Sequence, residues 1–302
     1  MLTSLFRLLV TRSIRPFVFT KAGDDTPDLR ALSRPGLYVH IPFCRSLCSF
    51  CPYNKEVYNK EAADRYTKVL LHEIDLLCAG MGEKKEATSL YFGGGTPVLL
   101  ADALPEIVGR LSRYFILTEG IGAELHPDDM TPEILAKLKA AGVTMVSLGI
   151  QSFDDESLAK IGRRYDGFRE KVQMAAGYGF DAVDVDLIFS IPGQDEGSLR
   201  RDVETAFWCG ATQVSTYPFI DFTFAQNSYR PLPDRVKRRM LRSLASAAKE
   251  MDLERTSVWT FAKKGTPRYS SVTREPSPSR LMPGGAKVTC WSFLSGWPSP
   301  AA

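Results

Sequence analysis

Six apolar, β-branched runs recur along the chain with helix-like segments between them, and few folds accommodate that rhythm. The runs are GLYVHI (36–41), SLYFGGG (89–95), GAELHP (122–127), TMVSLGIQS (144–152), AVDVDLIFSI (182–191) and QVSTYPF (213–219). Between them, Tyr66, Val69, Leu70, Ile74 and Leu77 in 60–78 recur at helical spacing, as do Val236, Met240, Leu244, Ala247 and Met251 in 233–251. TPEIL (131–135) reads as a helix start, with Thr131 as cap, Pro132 in the first turn and Glu133 suited to the dipole. Strands alternating with helices pair in parallel through right-handed crossovers. Nearly continuous apolar strands require a cover of helices. The expected architecture is α/β, either an open doubly wound sheet or a full or partial β/α barrel. Both place function at the carboxyl ends of the strands.

The chain's 302 residues suffice for one large domain, or for a domain with a small appendage. Its charge is unevenly placed. Residues 1–23 carry Arg7, Arg12, Arg15 and Lys21 without an acid, and 276–302 carry Arg280 and Lys287 without an acid. Removing these six charges from the net +3 leaves the body at −3, which argues against a nucleic-acid-binding core. No apolar run approaches the roughly 20 residues that span a bilayer. The basic segment 1–20 reads as an arm packed on the body, with an organelle transit peptide or a helix docked on a membrane surface as the alternatives. The last 27 residues are rich in Pro and Ser and aperiodic, as in a disordered tail, although Trp291 and Trp297 are unusual there. We therefore divide the chain into a basic arm (1–35), a core (36–255) and a C-terminal segment (256–302) that is irregular after about 275.

Three of the six cysteines, Cys44, Cys48 and Cys51, fall within eight residues of one another, directly after the first apolar run. Three scattered cysteines complete the set, which is no disulfide framework and suits a reducing compartment. Cys78 and Cys209 read as core residues. The cluster has two metal readings. With His40 it would form a closed Cys3His zinc site, but a histidine within a strand is more often a hydrogen-bonded core residue. An iron–sulfur cluster fits better: four-iron clusters normally take four thiolates, so three leave one iron open. An open position marks a catalytic site, and an adjacent amine and carboxylate on a small molecule would chelate it.

The Cys-x3-Cys-x2-Cys spacing resembles that of the radical S-adenosylmethionine (SAM) superfamily. YVHIPFC, YFGGGTP, VSLGIQSFDD and VDVDLIFSIPGQ together resemble the group that contains oxygen-independent coproporphyrinogen III oxidase and the heme chaperone HemW, over about 36–269 and including TFAKKG (260–265). The resemblance implies a partial (β/α)6 radical SAM barrel, here with little or no C-terminal domain. It implies a 4Fe–4S cluster on Cys44, Cys48 and Cys51, and reductive cleavage of SAM to a 5′-deoxyadenosyl radical. It also implies that Gly93, Gly94 and Gly95 admit the methionine end of SAM to the backbone, with the Thr96 hydroxyl beside them. Glu124 would face the amine or ribose, Gln151 would offer donor and acceptor, and Arg163 would pair with the SAM carboxylate. Asp186 would meet ribose or adenine, and Tyr38 would stand near the cluster. Each position also has a structural alternative: a tight turn for the glycines, a salt bridge for Glu124, a solvated helix end for Arg163.

The family further implies a one-electron donor of flavodoxin or ferredoxin type, a porphyrinogen or heme as partner, and a cytoplasmic location, or an organelle matrix if 1–20 is a transit peptide. Two departures bear on function. The oxidase carries a cysteine where Tyr53 stands, which leans the chain toward the chaperone-like relatives. Met145 occupies a position where relatives commonly have arginine. The Gly-rich segment and helical domain that follow in relatives are replaced by MPGGAKVTCWSF (282–293), read as a truncated or frame-shifted end. A hydrogen-abstracting enzyme of tetrapyrrole metabolism, a heme-trafficking protein without oxidase activity, and a two-SAM methyltransferase or cyclopropanase are the three functions to weigh.

Overall fold

The computed structural model describes residues 29, 32–51, 53–164, 166–220 and 230–267. Each of the six apolar runs forms a strand: β1 (Leu37–Ile41), β2 (Leu90–Gly94), β3 (Ile121–Leu125), β4 (Met145–Gln151), β5 (Ala182–Phe189) and β6 (Gln213–Pro218). They pair in parallel in chain order. Two short antiparallel strands, β7 (Glu254–Arg255) and β8 (Thr260–Ala262), extend the sheet beyond β6 in the order β6–β8–β7. Strands of two and three residues are too brief for an apolar rhythm to announce. The result is an open, partial barrel with β1 at one edge and β7 at the other.

The crossovers are helical: α1 (Lys60–Cys78), α2 (Leu104–Leu111), α3 (Pro132–Ala140), α4 (Asp155–Lys160), α5 (Phe168–Gly177) and α6 (Glu196–Trp208), with α7 (Asp234–Glu250) leading to the final hairpin. Their starts are chemically marked. Asn59 accepts a hydrogen bond from the Ala62 amide, Thr131 from the Ile134 amide at 3.3 Å, and Asp195 forms a reciprocal capping box with Ser198. The buried face of α1 is Ala63, Tyr66, Thr67, Leu70, Leu71, Ile74 and Cys78. Val69, expected on that face, is instead half-exposed, because the stripe is centred one position away and Thr67 takes a core place by donating to the Ala63 carbonyl. Cys78 and Cys209 are buried. No described helix is long and apolar enough to cross a membrane. The basic segment 1–20, Cys290, Trp291, Trp297 and the tail after 275 lie outside the described residues.

Strand alternation divides the sheet into two chemically different faces. One face buries Val39, Ile41, Phe92, Val146, Val185 and Val214 against the helices. The other points into the barrel, and register fixes its neighbours: Tyr38 opposite Tyr91, His40 opposite Gly93, Glu124 opposite Ser147, Ser147 opposite Asp184, and Asp186 between Gly149 and Ser215. Tyr91, Met145 and Ala182, with Tyr38 packed on them, form an apolar floor. Met145 thus fills with a neutral side chain a place where an arginine would face that floor. Above it the inner face is polar.

Phe92 is fully buried between β2 and the helices, so Phe92→Ala is expected to cost about 3–5 kcal/mol. Thr131→Ala, which removes only a cap, is expected to cost about 1 kcal/mol. Urea unfolding of the two variants beside the parent chain checks both the size and the order.

Candidate functional site

The cysteine loop is held at both ends by backbone. Phe43–Cys44 pairs in parallel with Glu56–Val57, so the chain enters and leaves the loop side by side. The Glu56 amide donates to the Pro42 carbonyl at 2.7 Å and the Tyr58 amide to the Cys44 carbonyl at 2.8 Å. The loop is tied to the end of β2 by Gly95 and Thr96, whose amides donate to the Ile41 and Phe43 carbonyls, each at 2.7 Å. Inside it, Lys55 Nζ donates to the Cys51 carbonyl at 2.6 Å. Cys44, Cys48 and Cys51 are half-buried free thiols. Two of them face donors: Thr96 Oγ1 lies 3.8 Å from Cys44 Sγ, and Arg163 Nη2 lies 3.8 Å from Cys48 Sγ. Burial pushes the Cys44 thiol up, the Thr96 hydrogen bond pulls it down, and Cys48 and Cys51 push it up again. Three thiols on one short loop, with donors aimed at two of the sulfurs, form a donor set suited to a polycationic centre.

His40 is not part of that set. Its Nδ1 lies 3.1 Å from the Tyr38 hydroxyl and its Nε2 lies 3.0 Å from the Asn54 carbonyl oxygen, so both ring nitrogens are engaged. Among the described residues no three His, Cys, Asp or Glu side chains converge on a point where a single ion would sit. A closed Cys3His zinc site needs such convergence; thiolates that hold separate irons of one cluster do not.

The glycines at the end of β2 make room for the chain's own atoms. A Cβ on Gly94 would lie 2.4 Å from His40 Cε1, and one on Gly95 would lie 2.6 Å from the Phe43 carbonyl oxygen. Gly94 also has φ +114°, open to glycine alone at low cost. The room that these residues vacate is filled by β1 and the cysteine loop. The Gly94 amide donates to Glu124 Oε2 at 3.1 Å, and a Cβ on Gly93 would meet Glu124 Oε1 at 2.9 Å.

Glu124, on β3, is pushed up to about 7 by burial, against the Gly94 and Tyr91 hydrogen bonds that lower it. On β5, Asp186 accepts from Ser147 Oγ at 2.8 Å and is raised by burial, then by Asp184 and Glu124. Gln151, the last residue of β4, has φ +72°, a costly conformation for a side chain with a Cβ. The turn after it is held by a residue without a sequence signal: Asp202 of α6 accepts from Ser152 Oγ at 2.7 Å and from the Phe153 amide at 2.8 Å. Arg163 hydrogen-bonds the Gly149 carbonyl and lies 5.6 Å from the Phe50 ring centroid, while its buried Nε has no partner. It is therefore no solvated helix end. Tyr38 sits lower, stacked on Tyr91 at 6.3 Å. His126, beyond β3, is pushed down to about 4 by burial, with the Arg163 charge adding.

Thus Cys44, Cys48, Thr96 and Arg163 meet at the loop, Gly94 meets Glu124, and Asp186 lies beside them on the inner face. Phe50, Asp184 and Asp202 went unremarked in the sequence. Only Asp184 had a signal, since it alternates with Asp186 on one strand face.

The family model for the radical SAM superfamily matches residues 38–206. The chain belongs to the radical SAM superfamily. Members carry a 4Fe–4S cluster and SAM as cofactors. The chain is 33% identical over 190 residues to the heme chaperone HemW of Bacillus subtilis, a match that covers 61% of this chain and 50% of that one. It is 30% identical over 189 residues to the oxygen-independent coproporphyrinogen III oxidase of Paracoccus denitrificans, covering 61% and 42%. Its fold superposes on coproporphyrinogen III oxidase (HemN) from Escherichia coli with a TM-score of 0.70 at 23% identity, covering 85% and 64%. The chain spans about half the length of the curated relatives it matches.

Because the Glu124 carboxyl is raised from 4.5 to about 7, the folded chain keeps a proton there after an unfolded chain has lost it. Its contribution to stability is present below the unfolded value and is lost as pH rises toward 7. His126, lowered from 6.5 to about 4, works in the opposite direction over an overlapping range. Glu124→Gln removes one slope and leaves the other, so the cofactor-free variant should gain stability relative to the parent as pH rises from 5 to 7. Thermal unfolding of both proteins across that range checks the sign.

Proposed function

We propose that this radical SAM protein binds a 4Fe–4S cluster through Cys44, Cys48 and Cys51, binds SAM beside it, and acts in tetrapyrrole or heme metabolism. The observation that carries the reading is the clamped loop itself: three free thiols at the carboxyl end of β1, two of them facing the Thr96 and Arg163 donors. Cys44, Cys48 and Cys51 would hold the cluster, which when bound would supply the one-electron reduction that cleaves SAM. The chain's residues position and shield. Thr96 and Arg163 aim donors at the Cys44 and Cys48 sulfurs. Glu124 and Asp186 offer acceptors to the amine and ribose of SAM, and Gln151 offers a donor and an acceptor. Arg163 has a buried Nε without a partner, which suits it to take a carboxylate. Tyr38 steadies the loop through His40 rather than touching the ligand. With this reading goes a division into an arm (1–35), a core and a C-terminal segment, the core now carried past 255 to take in the β7–β8 hairpin, which joins its sheet.

The tetrapyrrole assignment rests on HemW and coproporphyrinogen III oxidase being the relatives. Tyr53, standing where the oxidase has a cysteine, favours the heme-handling reading over decarboxylation. A flavodoxin or ferredoxin would supply the electron.

Anaerobic reconstitution tests the cluster. Cys48→Ala should lose essentially all cluster iron and SAM cleavage, because two thiolates on a short loop cannot hold the cube; retention of iron would sink the assignment. Gly94→Val should damage cluster assembly as well as SAM binding, since its side chain would strike His40, which holds the loop at Asn54. Iron content and SAM affinity measured on the same sample check this. Heme added to the reconstituted protein then separates the two roles. A stable Soret-shifted complex without turnover marks heme handling, and deoxyadenosine formation dependent on a porphyrinogen marks an oxidase.

A further inference from the structure

Asp184 stands one register step below Asp186 on the inner face of β5, and the proposed cofactor contacts do not use it. Its Oδ2 accepts from Gln213 Nε2 at 2.9 Å and from Ser215 Oγ at 2.8 Å, while its Oδ1 is buried with no hydrogen-bond partner. Ser215 begins a chain of hydroxyls. Its Oγ lies 3.3 Å from Thr260 Oγ1, and Ser257 Oγ donates to Thr260 Oγ1 at 2.9 Å. Ser257 is exposed. Since Ser215 donates inward to Asp184, Thr260 donates inward to Ser215 and Ser257 inward to Thr260. Every hydroxyl therefore gives toward the carboxyl, the polarity of the ionised acid; with the acid protonated at Oδ2 the same hydroxyls would give outward. That consistent polarity joins a buried carboxyl to bulk water.

The surroundings explain why such a connection matters. The titratable groups set against Asp184 are Asp186 on its own strand and Tyr91 on β2; Asp186 in turn faces Glu124 on β3, and Tyr91 faces Glu124 and Tyr217 on β6, with Tyr38 of β1 stacked on it. Beside Asp186 stands Arg163. From β4 and β8 the described neighbours are hydroxyls, Ser147 and Thr260. Of the three inner-face carboxyls Arg163 acts on Asp186; burial opposes the ionisation of each, and Asp184 and Glu124 further oppose that of Asp186. An arriving sulfonium or ammonium changes that balance.

We propose that Asp184 is a proton-exchanging carboxyl that yields its proton to solvent, through Ser215, Thr260 and Ser257, when a cationic ligand occupies the inner face. Release starts with the hydroxyls turned outward: the proton leaves Asp184 Oδ2 for Ser215 Oγ, Ser215 gives its own to Thr260, Thr260 to Ser257 and Ser257 to a water, which leaves every hydroxyl giving toward the ionised carboxyl. The ligand rests on the SAM reading; the proton path rests on the chain's own residues.

Two measurements on the full chain test it. Infrared spectroscopy of the protein without ligand at pH 5 should show protonated-carboxyl absorption that falls by one carboxyl in Asp184→Asn, since Asp184 is raised to about 6 while Glu124 and Asp186 keep their protons beside it. In Thr260→Val, which leaves Asp184 in place, deuterium exchange of that band should be slowed. A band unchanged by Asp184→Asn, or exchange unaffected by Thr260→Val, overturns the proposal. Calorimetric titration of SAM into reconstituted protein in buffers of different ionisation enthalpy should show proton release that is mostly lost in Asp184→Asn. SAM binding without proton release overturns the coupling. Failure of SAM to bind at all overturns the functional reading instead, and the infrared result still decides the exchange path.

Discussion

The contact between the His40 ring and the bare backbone of Gly94 holds the site together. It needs a strand residue with a flat, two-sided hydrogen-bonding side chain and, on the neighbouring strand, no Cβ at all. From this contact the ring reaches Tyr38 on one side and Asn54 in the cysteine loop on the other. Gly94 in turn directs its amide to Glu124. A side chain at Gly94 would push His40 away and with it the loop that carries the three thiols. Loop, strand ends and carboxylate are therefore one mechanical unit.

The second constraint is electrostatic. Helices cover one face of the sheet with aliphatic side chains, while the other carries Asp184, buried, and Glu124 and Asp186, half-buried, on the inside of the barrel. Burying a carboxylate is costly unless it is paired or keeps its proton. Ser147, Ser215, Gln213 and the Gly94 amide satisfy some of the oxygens, and Arg163 supplies positive charge. An interior with more acid than base is destabilising as structure and suited to a cationic ligand. In the proposed function that ligand is SAM, with Asp184 adjusting the proton count beneath it.

Much of this was legible in the chain. The six apolar runs became six parallel strands because length, β-branching and the turns between them leave little alternative. Thr131 caps its helix as its spacing announced. The Cys44–Cys48–Cys51 spacing and the words around it carried the family, which the superfamily match bears out. Other features were not legible. Val69 lies off the buried face because helical spacing alone does not say where the stripe is centred. The β7–β8 hairpin is too short to show a pattern, and Asp202 looks like any acid on a helix until Ser152 and the Phe153 amide are seen against it.

The sequence by itself determined the element order, the parallel sheet and a cysteine loop after the first strand, because those follow from periodicity and residue type over short distances. Only the tertiary structure decided what the glycines accommodate, where Arg163 points and which hydroxyls lead out from Asp184. Those depend on strand register, and register brings together residues such as Asp184, Ser215 and Thr260 that no local pattern connects.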